Sequence, residues 1–231
     1  MSDSIGQKPF GPLRSYGRVK SRPIKARQAG LLETLLPAIA LDLSQPVDPK
    51  AIMPHAAQTW LEIGFGGGEH LAAQAGRRPD VLSLGAEPFL NGVASALRHV
   101  DEQGLGNVRI LHGDARDLVA ALPDVSLDRV FILFPDPWPK ARHHKRRLIQ
   151  PELLAGLARA MKPGAPLRFA TDWADYADWT LERVVASGLF DWPAARADDW
   201  RKPPTDHVTT RYEEKKLGDC APVFLDFVRR A

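Results

Sequence analysis

The stretch Phe134–Lys140 reads Phe-Pro-Asp-Pro-Trp-Pro-Lys and places a carboxylate, an aromatic ring and a cation side by side. Its prolines restrict the backbone, and it follows directly on Asp128–Phe134, an apolar run with the composition of a buried strand. Loops at the carboxyl ends of parallel strands carry ligand chemistry in open α/β sheets. The stretch therefore predicts a rigid reactive loop with Asp136 as its acting group; a proline-rich turn with a solvated acid is the competing interpretation.

A second candidate site lies in Thr59–His70, where an apolar run passes through Gly64, Gly66 and Gly68 into an amphipathic stretch. Glycine allows positive φ and a close approach of the backbone to a ligand. The spacing is Gly-x-Gly-x-Gly rather than the dinucleotide pattern Gly-x-Gly-x-x-Gly. Glu62 stands before it, where a carboxylate suits a cationic ammonium but repels a pyrophosphate. The loop therefore favours S-adenosylmethionine as cofactor over NAD.

Two more acids follow successive predicted strands. Glu87 is placed to accept the ribose hydroxyls of a nucleotide, and Asp114 to meet the edge of its adenine. Each also precedes a predicted helix, so a helix N-cap is the alternative for either acid alone. Helix N-caps do not readily explain why these acids and the glycines occur in order after successive predicted strands.

A methyl group on a sulfonium is already activated, so a nucleophile with a free lone pair needs alignment and electrostatic support but no general base. Guanine N7 is such a nucleophile, and the N1–H and N2–H₂ donors of the same base suit a carboxylate. Asp136 is the first candidate to hold the base and Asp172 the second. Trp138 and Trp173 are candidates for stacking on it, with core packing as the alternative for either. No cysteine lies in the loop, which excludes the covalent route of the cytosine-C5 enzymes.

From about residue 55, short apolar runs alternate with amphipathic stretches, the rhythm of βαβ units that build a parallel sheet. The predicted strands are Thr59–Gly64, Val81–Ala86, Val108–His112, Asp128–Phe134 and Leu167–Thr171. The predicted helices are Glu69–Arg77, Leu90–Gln103, Arg116–Leu122, Gln150–Met161 and Ala174–Ser187.

After Gly188 the rhythm changes. Two segments that look extended, His207–Lys216 and Val223–Arg229, flank a turn at Gly218-Asp219 and predict a hairpin that joins the sheet. The predicted fold class is α/β: a Rossmann-like class I methyltransferase sheet, mostly parallel, with a C-terminal antiparallel hairpin strand and helices on both faces.

The N-terminal part has a different composition. Residues 1–50 are predicted to be a basic, partly mobile extension with one helix around Arg27–Ile39, and residues 51–231 to be the methyltransferase domain. Lys8–Arg27 carries seven cations and no acid, and Lys140–Arg147 adds five cations and two histidines. Solvated charge explains either stretch alone, whereas two together favour a polyanion partner.

At 231 residues with 44% hydrophobic content, the chain is long enough for one sizeable core. The first residues lack the apolar core of a secretory signal, and no apolar run approaches the ~20 residues of a membrane span, so a cytoplasmic protein is expected. The single cysteine, Cys220, and the lack of Cys/His pairs at ligand spacing predict no disulfide and no metal. Composition leaves the choice between monomer and homodimer open.

Five motifs together resemble one family, the single-chain bacterial tRNA (guanine-N7-)-methyltransferases. They are Leu61-Glu-Ile-Gly-Phe-Gly-x-Gly-Glu69, Phe134-Pro-Asp-Pro-Trp-Pro-Lys140, His143-His-Lys-Arg-Arg147, Thr171-Asp-Trp173 and Thr210-Arg-Tyr-Glu213. The match covers most of residues 14–228, and the second and third motifs in succession are highly specific.

The resemblance implies methyl transfer from S-adenosylmethionine to N7 of a guanine in the tRNA variable loop, with Asp136 as the catalytic position. It implies cofactor contacts by Glu62, Glu87, Asp114 and Asp136. It implies contacts with the substrate guanine by Lys140, Asp172, Thr210, Arg211, Tyr212 and Glu213, and with RNA by Arg142, His143, His144, Lys145, Arg146 and Arg147. Two positions depart from the pattern: Ala141 replaces a residue that is often basic, and Pro222 stands at the start of the last strand.

Two other functions remain open on the residues alone. An adenine-N6 methyltransferase also carries its reactive loop after the fourth strand, but it relies on an Asn/Asp-Pro-Pro-aromatic string that Asp136-Pro-Trp does not match. A non-catalytic RNA-binding protein with a vestigial pocket is the other alternative, and the intact set of acids argues against it.

Overall fold

Seven strands form one sheet in the computed structural model, which describes residues 23–231. They are β1 Gln58–Ile63, β2 Val81–Glu87, β3 Val108–His112, β4 Arg129–Leu133, β5 Pro166–Thr171, β6 Phe190–Asp191 and β7 Val223–Arg229. Their order across the sheet is β3-β2-β1-β4-β5-β7-β6. Strands β1 to β5 pair in parallel, and β7 runs antiparallel to β5 and β6. The predicted fold class is confirmed.

Ten α-helices lie in the described part of the chain, together with a 3₁₀ helix at Ala141–Arg146. They are α1 Ala26–Thr34, α2 Leu36–Ile39, α3 Pro49–Ile52, α4 Glu69–Arg77, α5 Leu90–Gln103, α6 Ala115–Ala121, α7 Pro151–Ala160, α8 Ala174–Ala186, α9 Asp198–Arg201 and α10 Arg211–Glu214. The five helices predicted from the apolar rhythm are α4 to α8. Within residues 23–231, no helix is long and apolar enough to cross a membrane.

The side chains of each strand alternate between two faces of the sheet. Leu61, Ile132 and Phe169 point into the main core, which α6, α7 and α8 close. On the other face, a second apolar cluster beneath α4 and α5 includes Phe65 and Val93. This alternation places polar side chains of the central strands, Glu62 among them, on the second face.

The first described residues pack against the sheet domain. Leu31 and Leu32 of α1 contact the apolar cluster beneath α5, and the Arg27 guanidinium bonds to Asp101 and Glu102 at the end of α5. The helix expected around Arg27–Ile39 is divided in two, because a proline at the start of α2 cannot continue the hydrogen bonding of α1. The basic stretch preceding it, through Arg22, lies outside the described residues.

The prediction that His207–Lys216 is a strand was wrong. This segment contains α10, and Thr210 caps that helix in a reciprocal capping box with Glu213. A Thr-x-x-Glu sequence satisfies the first amides of a helix locally, which outweighs the extended preference of its β-branched neighbours. The antiparallel neighbours of β7 are therefore β5 and the two-residue β6, with a long connection in place of a tight hairpin.

Gly68 holds α4 and α5 close together. Its φ is +80°, and a Cβ there would lie 2.4 Å from Cβ of Ala96. We expect Gly68→Ala to lower the free energy of unfolding by about 2–5 kcal/mol, because left-handed strain and overpacking add. Gly104→Ala is the matched control: φ is +62° with nothing within 4 Å, so strain alone should cost about 1–2 kcal/mol. Urea unfolding measures both, and equal losses would refute the steric argument.

Candidate functional site

The predicted site residues meet at one edge of the sheet. The chain reverses its direction of travel across the sheet between β1 and β4, and ligands bind at such a switch point, outside the carboxyl ends of the strands. The segments that emerge at this edge are the glycine loop after β1, Glu87 on β2, Asp114 after β3, the Phe134–Lys140 loop after β4 and Asp172 after β5. Because β7 is antiparallel, its first residue, Val223, lies opposite Thr171, and the segment before it reaches the same edge.

The glycine loop has the backbone that the sequence predicts. Gly64, Gly66 and Gly68 have φ values of +71°, +54° and +80°, which confirms the expected positive φ. The Gly66 amide donates to Glu87 Oε2 at 2.8 Å, and a Cβ on Gly92 would lie 2.4 Å from the Gly66 carbonyl oxygen. The loop is therefore packed tightly against the start of α5 and tied to the second predicted acid.

Glu87 is a buried carboxylate in a negative environment. Burial raises its pKa, the amides of Phe89 and Gly66 oppose that shift, and the charges of Asp136 and Glu62 raise the pKa further. Acids from three different strands or loops thus act on one another at this edge. A ligand with hydroxyl donors and a positive charge relieves their repulsion, which suits the ribose and the cationic end of S-adenosylmethionine.

Asp114 serves as the N-cap of α6. Its carboxylate accepts from the Arg116 amide at 2.9 Å and forms an ion pair with the Arg116 guanidinium. Burial alone raises its pKa, but the bonds to Arg116 lower it. The N-cap alternative therefore describes Asp114 correctly, and a contact with adenine would be an additional role.

The Phe134–Lys140 loop is held in an unusual conformation. Phe134 and Trp138 have φ values of +50° and +45°, a left-handed backbone that costs a residue with a Cβ about 1–3 kcal/mol. Asp136 lies exposed between them. The Trp138 ring contacts the Arg146 guanidinium, whose Cζ is 5.0 Å from the ring centre, whereas Trp173 packs against the main core. Of the two stacking candidates, Trp138 is therefore the one on this loop's surface.

Arg147 is the residue that fastens the loop to the fold. Its side chain is 1% exposed, its Nε donates to the Pro137 carbonyl at 2.8 Å, and it forms an ion pair with Asp175 at the start of α8. Its Cζ also lies 4.9 Å from the ring centres of both Tyr176 and Trp179. The prediction that Arg147 contacts RNA does not fit this burial, and we assign it a structural role instead.

The rest of the basic run is partly exposed, and three of its side chains, His143, His144 and Arg146, are half-buried. Arg142 and Lys145 are exposed on the 3₁₀ helix, and Arg146 lies over Trp138. Partial burial and the surrounding cations lower the pKa of His143, so this histidine adds little positive charge at neutral pH. His144 packs edge-on against Trp179, 5.1 Å between ring centres.

Asp172 joins the end of β5 to the C-terminal segment. Its Oδ2 accepts from the Gly218 amide at 2.9 Å, and its carbonyl accepts from the Cys220 amide at 3.1 Å. Within the same segment, the Thr210 and Glu213 side chains build the capping box of α10, and Tyr212 is 51% exposed. Among residues 23–231, no three His, Cys, Asp or Glu side chains are arranged to hold a metal ion.

Several residues that shape this site were not predicted from the sequence. Glu62 Oε2 lies 2.7 Å from Nδ1 of His70, and Asp206 on the C-terminal segment is bound by Arg129 and Arg168 from the central strands. The available signals were His70 on the buried face of an amphipathic helix and arginines inside two otherwise apolar strands. A buried charge requires a partner, but the sequence does not identify it.

Known proteins match this chain over most of its length. A family model described as "Putative methyltransferase" matches residues 56–224. The tRNA (guanine-N(7)-)-methyltransferase of Caulobacter sp. strain K31 is 69% identical over 96% of this chain and 98% of its own. The proteins of that name from Hyphomonas neptunium and Rhodospirillum rubrum are 54% and 47% identical, covering 93% and 97% of this chain and 99% and 91% of their own.

Solved structures of ribosomal RNA methyltransferases share the fold. The 16S rRNA methyltransferase KamB superposes with a TM-score of 0.57 at 18% identity, covering 79% of this chain and 92% of its own. The 16S rRNA (adenine(1408)-N(1))-methyltransferase from Catenulisporales acidiphilia gives 0.57 at 19% identity, covering 80% and 94%. At these identities the likeness concerns the fold alone.

Arg147→Met tests the fastening of the loop. We expect it to lower the free energy of unfolding by about 1.5–3 kcal/mol, the value of a buried charged hydrogen bond, because Asp175 is 62% exposed and water can replace its partner. Amides of residues 134–146 should also exchange hydrogen faster. Arg142→Met is the control, expected to cost no more than about 0.5 kcal/mol because Arg142 is exposed. Similar small losses in both variants would contradict the structural role.

Proposed function

The chain belongs to the tRNA (guanine-N(7)-)-methyltransferase family and methylates N7 of guanine in tRNA, and from this premise we propose that the guanine lies in the variable loop and that Asp136 is the catalytic residue. The observation that carries the assignment of the site is the meeting of acids from separate strands at one sheet edge, beside an exposed basic surface. The resemblance found in the motifs is confirmed. The adenine-N6 and non-catalytic alternatives gain no support from the relatives described above.

S-adenosylmethionine, when bound, supplies a methyl group already activated on a sulfonium. In our proposal Glu62 faces the ammonium of its methionine end, Glu87 accepts the ribose hydroxyls and Asp114 lies at the adenine edge. The Gly64–Gly68 loop lets the backbone approach the ligand. The raised pKa of Glu87 supports these assignments. Burial is the main cause of the shift, and the neighbouring negative charges add to it. A cationic ligand would offset those charges.

The target base needs orientation rather than deprotonation, because N7 offers its lone pair directly. We assign Asp136 to accept from the N1–H and N2–H₂ groups of guanine, so that its charge also offsets the positive charge that the purine gains. Trp138 would stack on the extruded base. Asp172 is the second candidate for the same contact, and its bond to Gly218 gives it a share in shaping the substrate segment. Further substrate contacts are assigned to Lys140, Thr210, Arg211, Tyr212 and Glu213.

RNA binding is assigned to the exposed and half-buried residues of the basic run, Arg142, His143, His144, Lys145 and Arg146. Phosphate contacts from the arginines and lysine position the duplex and loop of tRNA without reading sequence. The proposed location of the enzyme is the cytoplasm, which is consistent with a tRNA substrate.

Asp136→Ala tests the catalytic assignment. We expect formation of 7-methylguanosine in tRNA to fall by at least about 100-fold while the melting temperature changes little, because an exposed acid gives electrostatic support rather than packing. Mass spectrometry of tRNA nucleosides measures the product. Asp124→Ala, another exposed acid at the opposite edge of the sheet, is the control. Wild-type activity in the Asp136 variant would refute the assignment. If Asp172→Asn lost activity to a comparable extent and Asp136→Ala did not, the contact with the base would be assigned to Asp172.

Lys145→Glu tests the RNA surface. We expect weaker tRNA binding and a dependence of log K on log salt that is shallower by roughly 0.7–0.9, the share of one lost phosphate contact, with cofactor affinity unchanged. Lys50→Glu on α3, also an exposed lysine but remote from the carboxyl edge, should leave the slope as it is. An identical slope in all three proteins would contradict the assignment.

A further inference from the structure

A buried chain of polar side chains connects Glu62 with the segment that follows α9. Glu62 Oε2 lies 2.7 Å from His70 Nδ1, and Gln74 Nε2 lies 3.2 Å from His70 Nε2. The same Gln74 nitrogen donates to the Asp206 carbonyl oxygen at 2.8 Å. Glu62, His70 and Gln74 are each at most 4% exposed. Such a fully connected buried network holds its members in one arrangement.

The acceptor at the far end determines the proton positions. A carbonyl oxygen only accepts, so Gln74 directs one amide hydrogen to Asp206 and the other to His70 Nε2. His70 Nε2 is then an acceptor, and Nδ1 carries the proton that it donates to Glu62. The hydrogen bond from Nδ1 thus orients the Glu62 carboxylate, and Gln74 fixes the ring that donates it.

Arginines bind both the carboxylate and the backbone carbonyl of Asp206. Its carboxylate accepts from Arg129 Nη2 at 2.7 Å and from Arg168 Nη1 at 2.6 Å, and its carbonyl also accepts from Arg77 Nη1 at 2.9 Å. Arg168 is itself paired with Asp226 on β7. Burial raises the pKa of Asp206, but the two arginines lower it, so the aspartate is ionised at neutral pH.

The next residue carries the connection into the substrate segment. His207 Nε2 lies 2.8 Å from Glu213 Oε2, and the His207 ring packs against Phe224 with 4.8 Å between ring centres. Glu213 closes the capping box with Thr210. One continuous set of contacts therefore runs from the cofactor acid to the residues assigned to the guanine.

We infer that His70 and Gln74 are positioning residues that orient Glu62 for the cofactor and couple cofactor binding to tRNA binding through Asp206. The inference rests on the proposed function for the identity of the two ligands. Coupling is reciprocal, so the cofactor must tighten tRNA binding by the same factor by which tRNA tightens cofactor binding.

The coupling is measured with S-adenosylhomocysteine, which keeps the ammonium of the cofactor's amino-acid end and cannot donate a methyl group. For the wild-type enzyme we expect it to tighten binding of an unmodified tRNA transcript by about fivefold or more. In Gln74→Met the factor should fall to near one with little change in melting temperature, because Arg77 still holds the Asp206 carbonyl. Gln28→Met is the matched control: that amide also donates to a backbone carbonyl, of Ala94, outside the network.

Two substitutions of His70 separate its two bonds. Asparagine can place its amide nitrogen near the position of Nδ1, so His70→Asn should keep the affinity for S-adenosylhomocysteine but lose the coupling. His70→Phe keeps a ring against Phe131 and loses both bonds, so cofactor affinity should fall by about tenfold or more.

Three results overturn the inference: a wild-type coupling factor of one, unchanged coupling in Gln74→Met, or wild-type cofactor affinity in His70→Phe. Formation of 7-methylguanosine is measured with the same wild-type preparation. Absence of that product would refute the proposed function, whereas product without coupling would refute only the network.

Discussion

Parallel pairing of β1 with both β2 and β4 is the constraint on which the site depends. Each strand of a parallel sheet returns through a crossover helix, so every carboxyl end emerges on the same side. Residues separated by more than a hundred positions in the chain, such as Glu62 and Asp172, thereby reach one edge. The antiparallel β7 adds its approach segment to that edge from the opposite direction. The strand topology thus forms the edge, and the side chains of the loops that follow the strands give it its charge and its chemistry.

Sequence predicted the elements whose signals are local. Helices α4 and α5 have the predicted bounds because each follows a break, a glycine loop in one case and Pro88-Phe89 in the other, and keeps a helical apolar period to its end. The positive φ of Gly64, Gly66 and Gly68 was likewise predictable, since glycine adopts it without the strain that a Cβ imposes on most other residues. The reactive loop was predictable because an acid, an aromatic ring, a lysine and three prolines have few purely structural uses in combination.

What the sequence did not disclose depends on distant partners. Arg147 belongs to a run of five cations, and only the position of Asp175 and Pro137 shows that this one is buried. The partners of Arg129 and Arg168 lie on a segment whose extended appearance was misleading. The Thr210-x-x-Glu213 signal of a capping box is nevertheless present in that segment, and it determines the local structure. Pairing over such separations follows from the tertiary fold, which no local pattern encodes.

The left-handed backbone of Phe134 and Trp138 has a consequence for how this enzyme evolves. The strain of this backbone lowers the free energy of unfolding, and favourable contacts in the surrounding domain must offset it. Keeping the shape of the loop therefore lowers the thermal stability of the protein. Selection for heat resistance alone would favour glycine or asparagine at these two positions, which relax the backbone. The same changes would remove an aromatic ring and a fixed geometry from the mouth of the site. Thermostable relatives that keep both aromatic residues must therefore gain their stability elsewhere in the fold.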